Sequence, residues 1–121
     1  MTKTNDDVVR GMIVGSPLAS LLGITAEAIE PDRVRLCLPY RAEVTTAGDV
    51  VHGGAIASLI DVAATAAAWS TADLAHGARG TTVGLTVSFL TAARAWAIAM
   101  LVRLMSRYTS SALRPRNCSA R

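Results

Sequence analysis

The sequence predicts an α+β fold in which an antiparallel sheet wraps around one central, alanine-rich helix. Three stretches carry this prediction. Apolar and polar side chains alternate through residues 33–38 and again through residues 82–90, and this period of two is typical of strands that bury one face. Between them, residues 54–69 consist mainly of Ala, Ile and Leu without proline or an internal glycine, which favours a helix. A chain of 121 residues is long enough for one such domain.

The elements before the central helix are predicted from turn and cap residues. Ser16 suits an N-cap, Pro17 the first helical turn and Gly23 the helix exit, so a short helix is expected between them. Residues 24–30 and 33–39 flank a Pro-Asp turn and are expected to pair as an antiparallel hairpin. This hairpin would be the first strand pair of the sheet.

The central helix is apolar on nearly all sides. Over residues 54–69 it would extend about 24 Å, and a helix without a polar face must be buried. Apolar residues make up 51% of the chain and charged residues 17%, a balance that indicates surface covered by a partner subunit. We therefore expect a homo-oligomer, either a dimer or a dimer of dimers.

The pattern changes near residue 92. Residues 95–105 are mildly helical in composition, and residues 108–121 show no period and are rich in Ser, Arg, Ala and Pro, which is typical of poorly ordered chain. A shift of reading frame near residues 93–97 would explain why composition, charge and period change together. The predicted parts of the chain are an N-terminal segment (1–15), a domain that lacks its C-terminal strands (16–94) and an atypical basic tail (95–121).

Charge and cysteine content limit the compartments and partners to be expected. Up to residue 93, six Lys or Arg stand against nine Asp or Glu, a balance of −3, whereas residues 94–121 hold six Arg and no acid. This tail lacks the interleaved aromatic residues and reading motifs of nucleic-acid binders, so no nucleic acid is expected as a partner. The chain shows neither the roughly 20 apolar residues of a membrane span nor a secretory signal, so we expect no membrane association and a cytoplasmic location. Cys37 and Cys118 lie far apart without a second pair, so both are expected to be free thiols.

His52, Gly53 and Gly54 form the first feature with chemical potential. The two glycines stand where a loop becomes the helix, whose N-terminus presents unpaired N–H groups and a partial positive charge. Without side chains at these positions a substrate carbonyl could approach those donors, as in an oxyanion hole. A helix start whose histidine makes only structural hydrogen bonds would explain the same residues. The motif alone therefore does not show whether the turn is an oxyanion hole.

Asp61 is the second feature. It lies inside an almost wholly apolar helix, where an unpaired carboxylate would cost several kcal/mol if it were fully buried. Either it reaches solvent or pairs with Arg33 or Arg35 across the sheet, or it serves as a catalytic base or nucleophile in a cleft.

These features occur together in a recognisable order. The run HGGAIASLIDVAATAAA, with residues 86–90 and 16–24, resembles the hotdog-fold thioesterases of the phenylacetic-acid-degradation (PaaI-like) type. The resemblance covers about residues 16–94. It implies a hotdog fold with an antiparallel sheet around the central helix, dimers whose sheets join edge to edge, and active sites at the subunit interface.

The resemblance also implies an activity, the hydrolysis of an acyl-CoA or aryl-acyl-CoA thioester to the free acid and CoA. Asp61 would act as base or nucleophile, the Gly54 N–H would hold the oxyanion, and His52 would orient the thioester or support the loop. The implied substrate-binding residues are Gly53, Ser58, Thr86 and Ser88. The last two would reach the site from the partner subunit's strand. No metal or organic cofactor would be needed, since CoA is part of the substrate.

The sequence departs from the family pattern in two places. Members often carry an asparagine before the HGG turn, whereas residues 42–46 contain none, so that its role would either fall to Glu43 or Thr46 or be absent. The Arg-Pro turn and the two long strands expected after residue 90 are not recognisable. A non-catalytic hotdog module that binds acyl-CoA, or an inactive truncated remnant, therefore stays open beside the enzyme. Hotdog dehydratases rank last, because their hydratase motif is not found.

Overall fold

The chain folds as helices against an antiparallel sheet in a computed structural model that describes residues 4–74, 80–94, 98–105 and 108–114. The elements in chain order are α1 (Asn5–Val8), a π-helix (Val9–Val14), α2 (Pro17–Leu22), β1 (Thr25–Glu30), β2 (Arg33–Leu38), a 3-10 helix (Ala42–Val44), β3 (Thr45–Ala47), β4 (Val50–Val51), α3 (Gly53–Trp69), β5 (Ile98–Met105) and β6 (Tyr108–Arg114).

Four strands form the main sheet in the order β1-β2-β5-β6, and each neighbouring pair is antiparallel. β2 lies between β1 and β5, so that Val34 stands opposite Ile29 on one side and Val102 on the other. β3 and β4 form a separate two-stranded hairpin directly before α3. The predicted α+β architecture, a sheet packed on one long helix, is confirmed.

The core lies between α3 and the sheet. From β2, the side chains of Val34, Leu36 and Leu38 are at most 1% exposed. The buried residues of α3 recur at intervals of three or four positions, as helix geometry requires of one face. They are Ala55, Ile56, Leu59, Ala63, Ala66 and Ala67. Four of these six are alanines, whose short side chains let the helix axis approach the sheet. Burial is therefore complete on one face of α3, whereas most other positions are half-buried.

Both predicted elements before α3 are present. Gly23 ends α2 with a φ of +74°, a left-handed conformation that glycine adopts without steric cost. Ser16 occupies the N-cap position, although its side chain makes no capping hydrogen bond. The hairpin strands β1 and β2 flank Asp32, which has a φ of +61° in the turn.

The C-terminal end of α3 is tied to two distant parts of the chain. The side-chain amide of Asn5 donates to the carbonyl oxygens of Trp69 and Ala72, each at 2.9 Å. The buried hydroxyl of Ser70 accepts the backbone N–H of Asp32 at 2.9 Å. These bonds hold the N-terminal helix and the β1-β2 turn against the end of the central helix.

The strand predicted at residues 82–90 is not observed, and this prediction was wrong. Residues 80–94, which we call the strap, run over α3 without joining the main sheet, and one isolated bridge links Arg94 to Val50. Val83 is 98% exposed and Leu90 95% exposed, so the alternating pattern does not produce a buried face within one chain. The edge of β2 is occupied by β5, and period-two alternation does not reveal whether a pairing edge is available.

The expectation that the last strands are missing was also wrong. β5 and β6 extend the sheet through residues whose composition is mildly helical or without period. Pairing of β5 with β2, and of β6 with β5, imposes the strand conformation there, because tertiary context overrides weak local preference. The strands continue past residue 94, where the sequence places the end of the domain.

The structure also bears on the expected free thiols and on the expected absence of a membrane span. Cys37 is disulfide-bonded rather than a free thiol, and Cys118 lies outside the described residues. Within the described ranges, no helix is both long and apolar enough to span a membrane.

Candidate active site

The HGG turn forms the N-terminal cap of α3. His52 has an extended backbone, and its Nδ1 accepts the N–H of Gly54 at 2.8 Å. Its backbone N–H donates to the carbonyl of Val44 at 2.7 Å, which joins the turn to the preceding 3-10 helix. The N–H that was predicted to hold the oxyanion, that of Gly54, is therefore occupied by His52.

The hydrogen bond on Nδ1 determines which tautomer of His52 suits this geometry. In a neutral imidazole one ring nitrogen accepts and the other carries the proton. Because Nδ1 accepts, Nε2 carries the N–H, and the exposed ring of His52 presents that donor to the surroundings. The arrangement thus offers an N–H donor at the start of α3.

Gly53 contributes a second donor. It is the first residue of α3, and among the described residues its N–H donates to no acceptor. A Cβ placed on Gly53 would lie 3.3 Å from Cζ of Phe89, so the tip of this ring fills the space beside the glycine. A free N–H and a missing side chain are what a carbonyl oxygen needs for close approach, but Phe89 already occupies part of that space.

Asp61 lies half-buried in α3. Its Oδ1 accepts the hydroxyl of Thr82 at 2.5 Å. Arg33 and Arg35 pair instead with Glu30 at 3.9 Å and with Glu27 at 2.5 Å. Within the described part of the chain Asp61 forms no ion pair, so the structural explanation through these two arginines is wrong.

The other predicted residues lie in several places. Ser58 donates its hydroxyl to the carbonyl of Gly54 at 2.8 Å, one turn along the same helix. Thr86 and Ser88 are exposed on the strap.

The candidates for the missing asparagine do not take over its contacts. Glu43 and Thr46 are exposed, and no hydrogen bond links either of them to His52 or Asp61 among the described residues. Neither of these two residues takes the place of the asparagine.

The spacing of Gly53 and Asp61 limits what one chain can do. They are eight residues apart, which at 1.5 Å per residue separates them by about 12 Å along the helix axis. A carbonyl group that contacts the Gly53 N–H cannot also lie within hydrogen-bonding distance of Asp61 on the same helix. The donors and the carboxylate are two half-sites within one chain.

Two residues at these half-sites were not predicted from the sequence. Thr82 contacts Asp61 and Phe89 contacts Gly53, and both belong to the strap. The alternating pattern assigned Thr82 to a polar face and Phe89 to the core of the sheet. Only the path of the strap across α3 brings both of them to the helix.

Comparisons with known proteins show which families and structures this chain is similar to. Residues 48–107 match the family model of the thioesterase superfamily. A Halobacterium salinarum protein to which an esterase activity is ascribed is 38% identical over 80 residues, which cover 64% of this chain and 53% of that protein. The match thus spans about half the length of this curated relative.

Solved structures show the same architecture. A thioesterase family protein from Silicibacter pomeroyi has a TM-score of 0.74 and 28% identity, and the match covers 82% of this chain and 71% of that one. The E. coli PaaI protein of the phenylacetic acid degradation operon has a TM-score of 0.62 at 21% identity, over 78% of this chain and 69% of that one, which shows a common fold. The chain therefore has the hotdog fold, and residues 48–107 are similar to the thioesterase superfamily.

Proposed function

We propose that this chain hydrolyses the thioester of an acyl-CoA or aryl-acyl-CoA to the free acid and CoA. The observation that carries the proposal is Asp61, a half-buried carboxylate in an apolar helix that forms no ion pair with the described residues. A carboxylate kept there without a cation is available to act on a substrate. The thioesterase-superfamily match, which includes Asp61 and the HGG turn, supports this chemistry.

The donors at the start of α3 suit the carbonyl of the thioester. The free N–H of Gly53 and the Nε2–H of His52 would receive the carbonyl oxygen as it gains negative charge. Gly54 would join them when its bond to His52 Nδ1 opens or is shared. Gly53 is thus the donor that needs no rearrangement within the turn, and Gly54 the donor that needs one.

Asp61 has two possible roles. As a base it removes a proton from water while the oxygen attacks the carbonyl carbon, and it returns that proton to the departing CoA sulfur. As a nucleophile it forms an acyl-aspartyl anhydride with release of CoA thiolate, and water then cleaves the anhydride. Both routes consume one water and yield one acid and one thiol.

The distance of about 12 Å between the half-sites supports an oligomer. Asp61 of the partner subunit would face Gly53 and His52 of the first subunit, so that one thioester contacts both. A homodimer is the smallest assembly that allows this, and a dimer of dimers would contain the same pairs.

The PaaI-like subfamily, the cytoplasmic location and the independence from metal or organic cofactors remain predictions from the sequence. The frame-shift hypothesis also stays open, and resequencing of the coding DNA would test it.

A second candidate, a module that binds acyl-CoA without hydrolysing it, is favoured by one observation. Neither Glu43 nor Thr46 contacts Asp61 or His52 in place of the asparagine that family members use to orient acid and water. Such a module would bind CoA esters without releasing a thiol.

Thiol release from a panel of short-chain, long-chain and aryl acyl-CoAs tests the proposal. Asp61→Asn keeps the shape of the side chain and removes its base, and we expect kcat to fall by at least about 10²-fold. Asp6→Asn is the matched control, because it removes the same charge from α1, where Asp6 forms an exposed ion pair with Arg10. Undiminished hydrolysis by Asp61→Asn would refute the catalytic role, and binding without hydrolysis by the wild-type chain would favour the module.

A further inference from the structure

Arg41 differs from the other arginines of the described structure in its lack of a carboxylate partner. The structure describes the side chains of five arginines, and four of them pair with Asp or Glu. These are Arg10 with Asp6 at 2.9 Å, Arg33 with Glu30 at 3.9 Å, Arg35 with Glu27 at 2.5 Å and Arg94 with Asp49 at 2.8 Å. Arg41 forms no ion pair with any described residue, and this includes the exposed Glu43 two positions further on. Its positive charge is therefore not neutralised within the described part of the chain.

The guanidinium of Arg41 is held at the end of α2. Its Nη2 donates to the carbonyl of Leu21, the next-to-last residue of that helix, at 2.7 Å. A Cβ on Gly23 would lie 3.5 Å from Cζ of Arg41, so the guanidinium lies directly beside this glycine. A guanidinium has five N–H donors in a planar fork, and the described residues accept from Nη2 alone. The remaining donors suit an anion with several oxygens, such as a phosphate.

The backbone of Arg41 is linked to the HGG turn by two hydrogen bonds. The carbonyl of Arg41 accepts the N–H of Val44 at 3.1 Å, and the carbonyl of Val44 accepts the N–H of His52 at 2.7 Å. Val44 is 2% exposed, so this connection is packed into the core. Arg41 is therefore attached to the half-site that holds the carbonyl donors.

We propose that Arg41 binds a phosphate group of the CoA part of the substrate while the thioester carbonyl lies at His52 and Gly53. The inference rests on the proposed thioesterase function and adds to it a residue that recognises the nucleotide end of CoA. In acyl-CoA the thioester and the phosphates stand at opposite ends of the pantetheine arm. A cation that lies outside the HGG turn but is attached to it can therefore hold the phosphates while the donors hold the carbonyl. The guanidinium fork binds two phosphate oxygens, which a lysine cannot do in the same geometry.

Two thioesters with the same acyl group test this role, since acyl-CoA carries the phosphates and acyl-pantetheine lacks them. We expect Arg41→Ala to raise the KM of acyl-CoA about tenfold relative to that of acyl-pantetheine, because a charge-assisted contact is lost. Arg41→Lys should recover part of this difference, since lysine keeps the charge without the fork. Arg10→Ala is the matched control, because it removes the same charge from the π-helix, and its KM ratio should equal that of wild type. A wild-type ratio in Arg41→Ala would overturn the proposal.

Binding of CoA itself separates this inference from the catalytic proposal. CoA has no thioester, so titration calorimetry measures its affinity whether or not the chain hydrolyses thioesters. We expect Arg41→Ala to bind CoA about tenfold more weakly than wild type and Arg10→Ala to bind it as wild type does. This result in a chain that releases no thiol would keep the phosphate site and remove the catalytic function. Hydrolysis by wild type, with the CoA affinity unchanged in Arg41→Ala, would remove the phosphate site and keep the catalytic function, as expected if a carboxylate of the partner subunit neutralised Arg41.

Discussion

His52 combines two tasks that a substitution can separate. Its Nδ1 caps α3 through the Gly54 N–H, and its Nε2–H is proposed to face the substrate. His52→Ala removes both, whereas His52→Asn keeps a side-chain acceptor at the N-cap, where asparagine ranks among the best residues.

We predict that His52→Ala lowers the free energy of unfolding by about 1 kcal/mol and that His52→Asn lowers it by less. Both should lose hydrolysis to a similar extent, because neither has the Nε2–H. Urea denaturation and thiol release on the same samples check this. If His52→Asn retained wild-type kcat, the donor role of Nε2–H would be wrong.

The N-terminal segment, of which the sequence predicted no structure, acts as a cap for α3. Asn5 donates to the carbonyl of Trp69, the last residue of the helix, and to that of Ala72 just beyond it, where the dipole is negative. An amide satisfies both carbonyls, a methyl group satisfies neither, and a carboxylate adds repulsion.

We therefore expect the stability order wild type, then Asn5→Ala, then Asn5→Asp. The loss for alanine should be about 1–2 kcal/mol, from two net hydrogen bonds, and aspartate should lose several tenths more. Thermal denaturation monitored by circular dichroism gives the order. Equal stability of the alanine and aspartate variants would show that the dipole has no influence here.

Ser70 joins the central helix to the β1-β2 turn. Its hydroxyl donates to the Ala67 carbonyl at 2.6 Å and accepts the Asp32 N–H at 2.9 Å, and Ser70 is 9% exposed. Ser70→Ala leaves the Asp32 N–H without this acceptor, which should cost about 1–3 kcal/mol. Thr71→Val is the control, because its exposed bond to Asp32 should contribute less than about 1 kcal/mol. Denaturant titration compares them, and equal losses would contradict the importance of burial.

The complete site is expected to need two copies of the chain. Its two half-sites are about 12 Å apart on one helix, and the exposed apolar side chains of the strap are typical of surface that a partner covers. If Asp61 of one subunit serves the donors of the other, two different inactive variants can complement each other.

We predict that Asp61→Asn and His52→Ala recover activity when their subunits are exchanged by joint refolding. Half of randomly formed dimers would be mixed, and each would contain one intact site, so the expected recovery is about a quarter of wild-type activity. Each variant refolded alone is the control. No recovery in a preparation shown by mass spectrometry to contain mixed dimers would mean that one subunit carries the whole site.

Much of the fold and of the candidate site could be predicted from the sequence, because these features depend on the chemistry of neighbouring residues. The helix of α3, the hairpin of β1 and β2, and the exit of α2 at Gly23 follow from propensity, alternation and caps. His52 and the two glycines were identified because they stand together where a loop becomes a helix. Asp61 was identified because a carboxylate is unusual inside an apolar helix. Which of the segments 82–90, 98–105 and 108–114 form strands could not be predicted, because strand formation depends on which edge of the sheet is free.

The sequence by itself determined that a buried alanine-rich helix begins at an HGG turn, carries an isolated acid and packs on an antiparallel sheet. Tertiary structure decided that β5 rather than residues 82–90 pairs with β2, and that the strap consequently crosses α3 to place Thr82 on Asp61 and Phe89 on Gly53. The physical reason is the range of the interactions. Propensity and capping act over a few neighbouring residues, whereas strand pairing and contacts between distant side chains depend on competition for the same edge and the same surface.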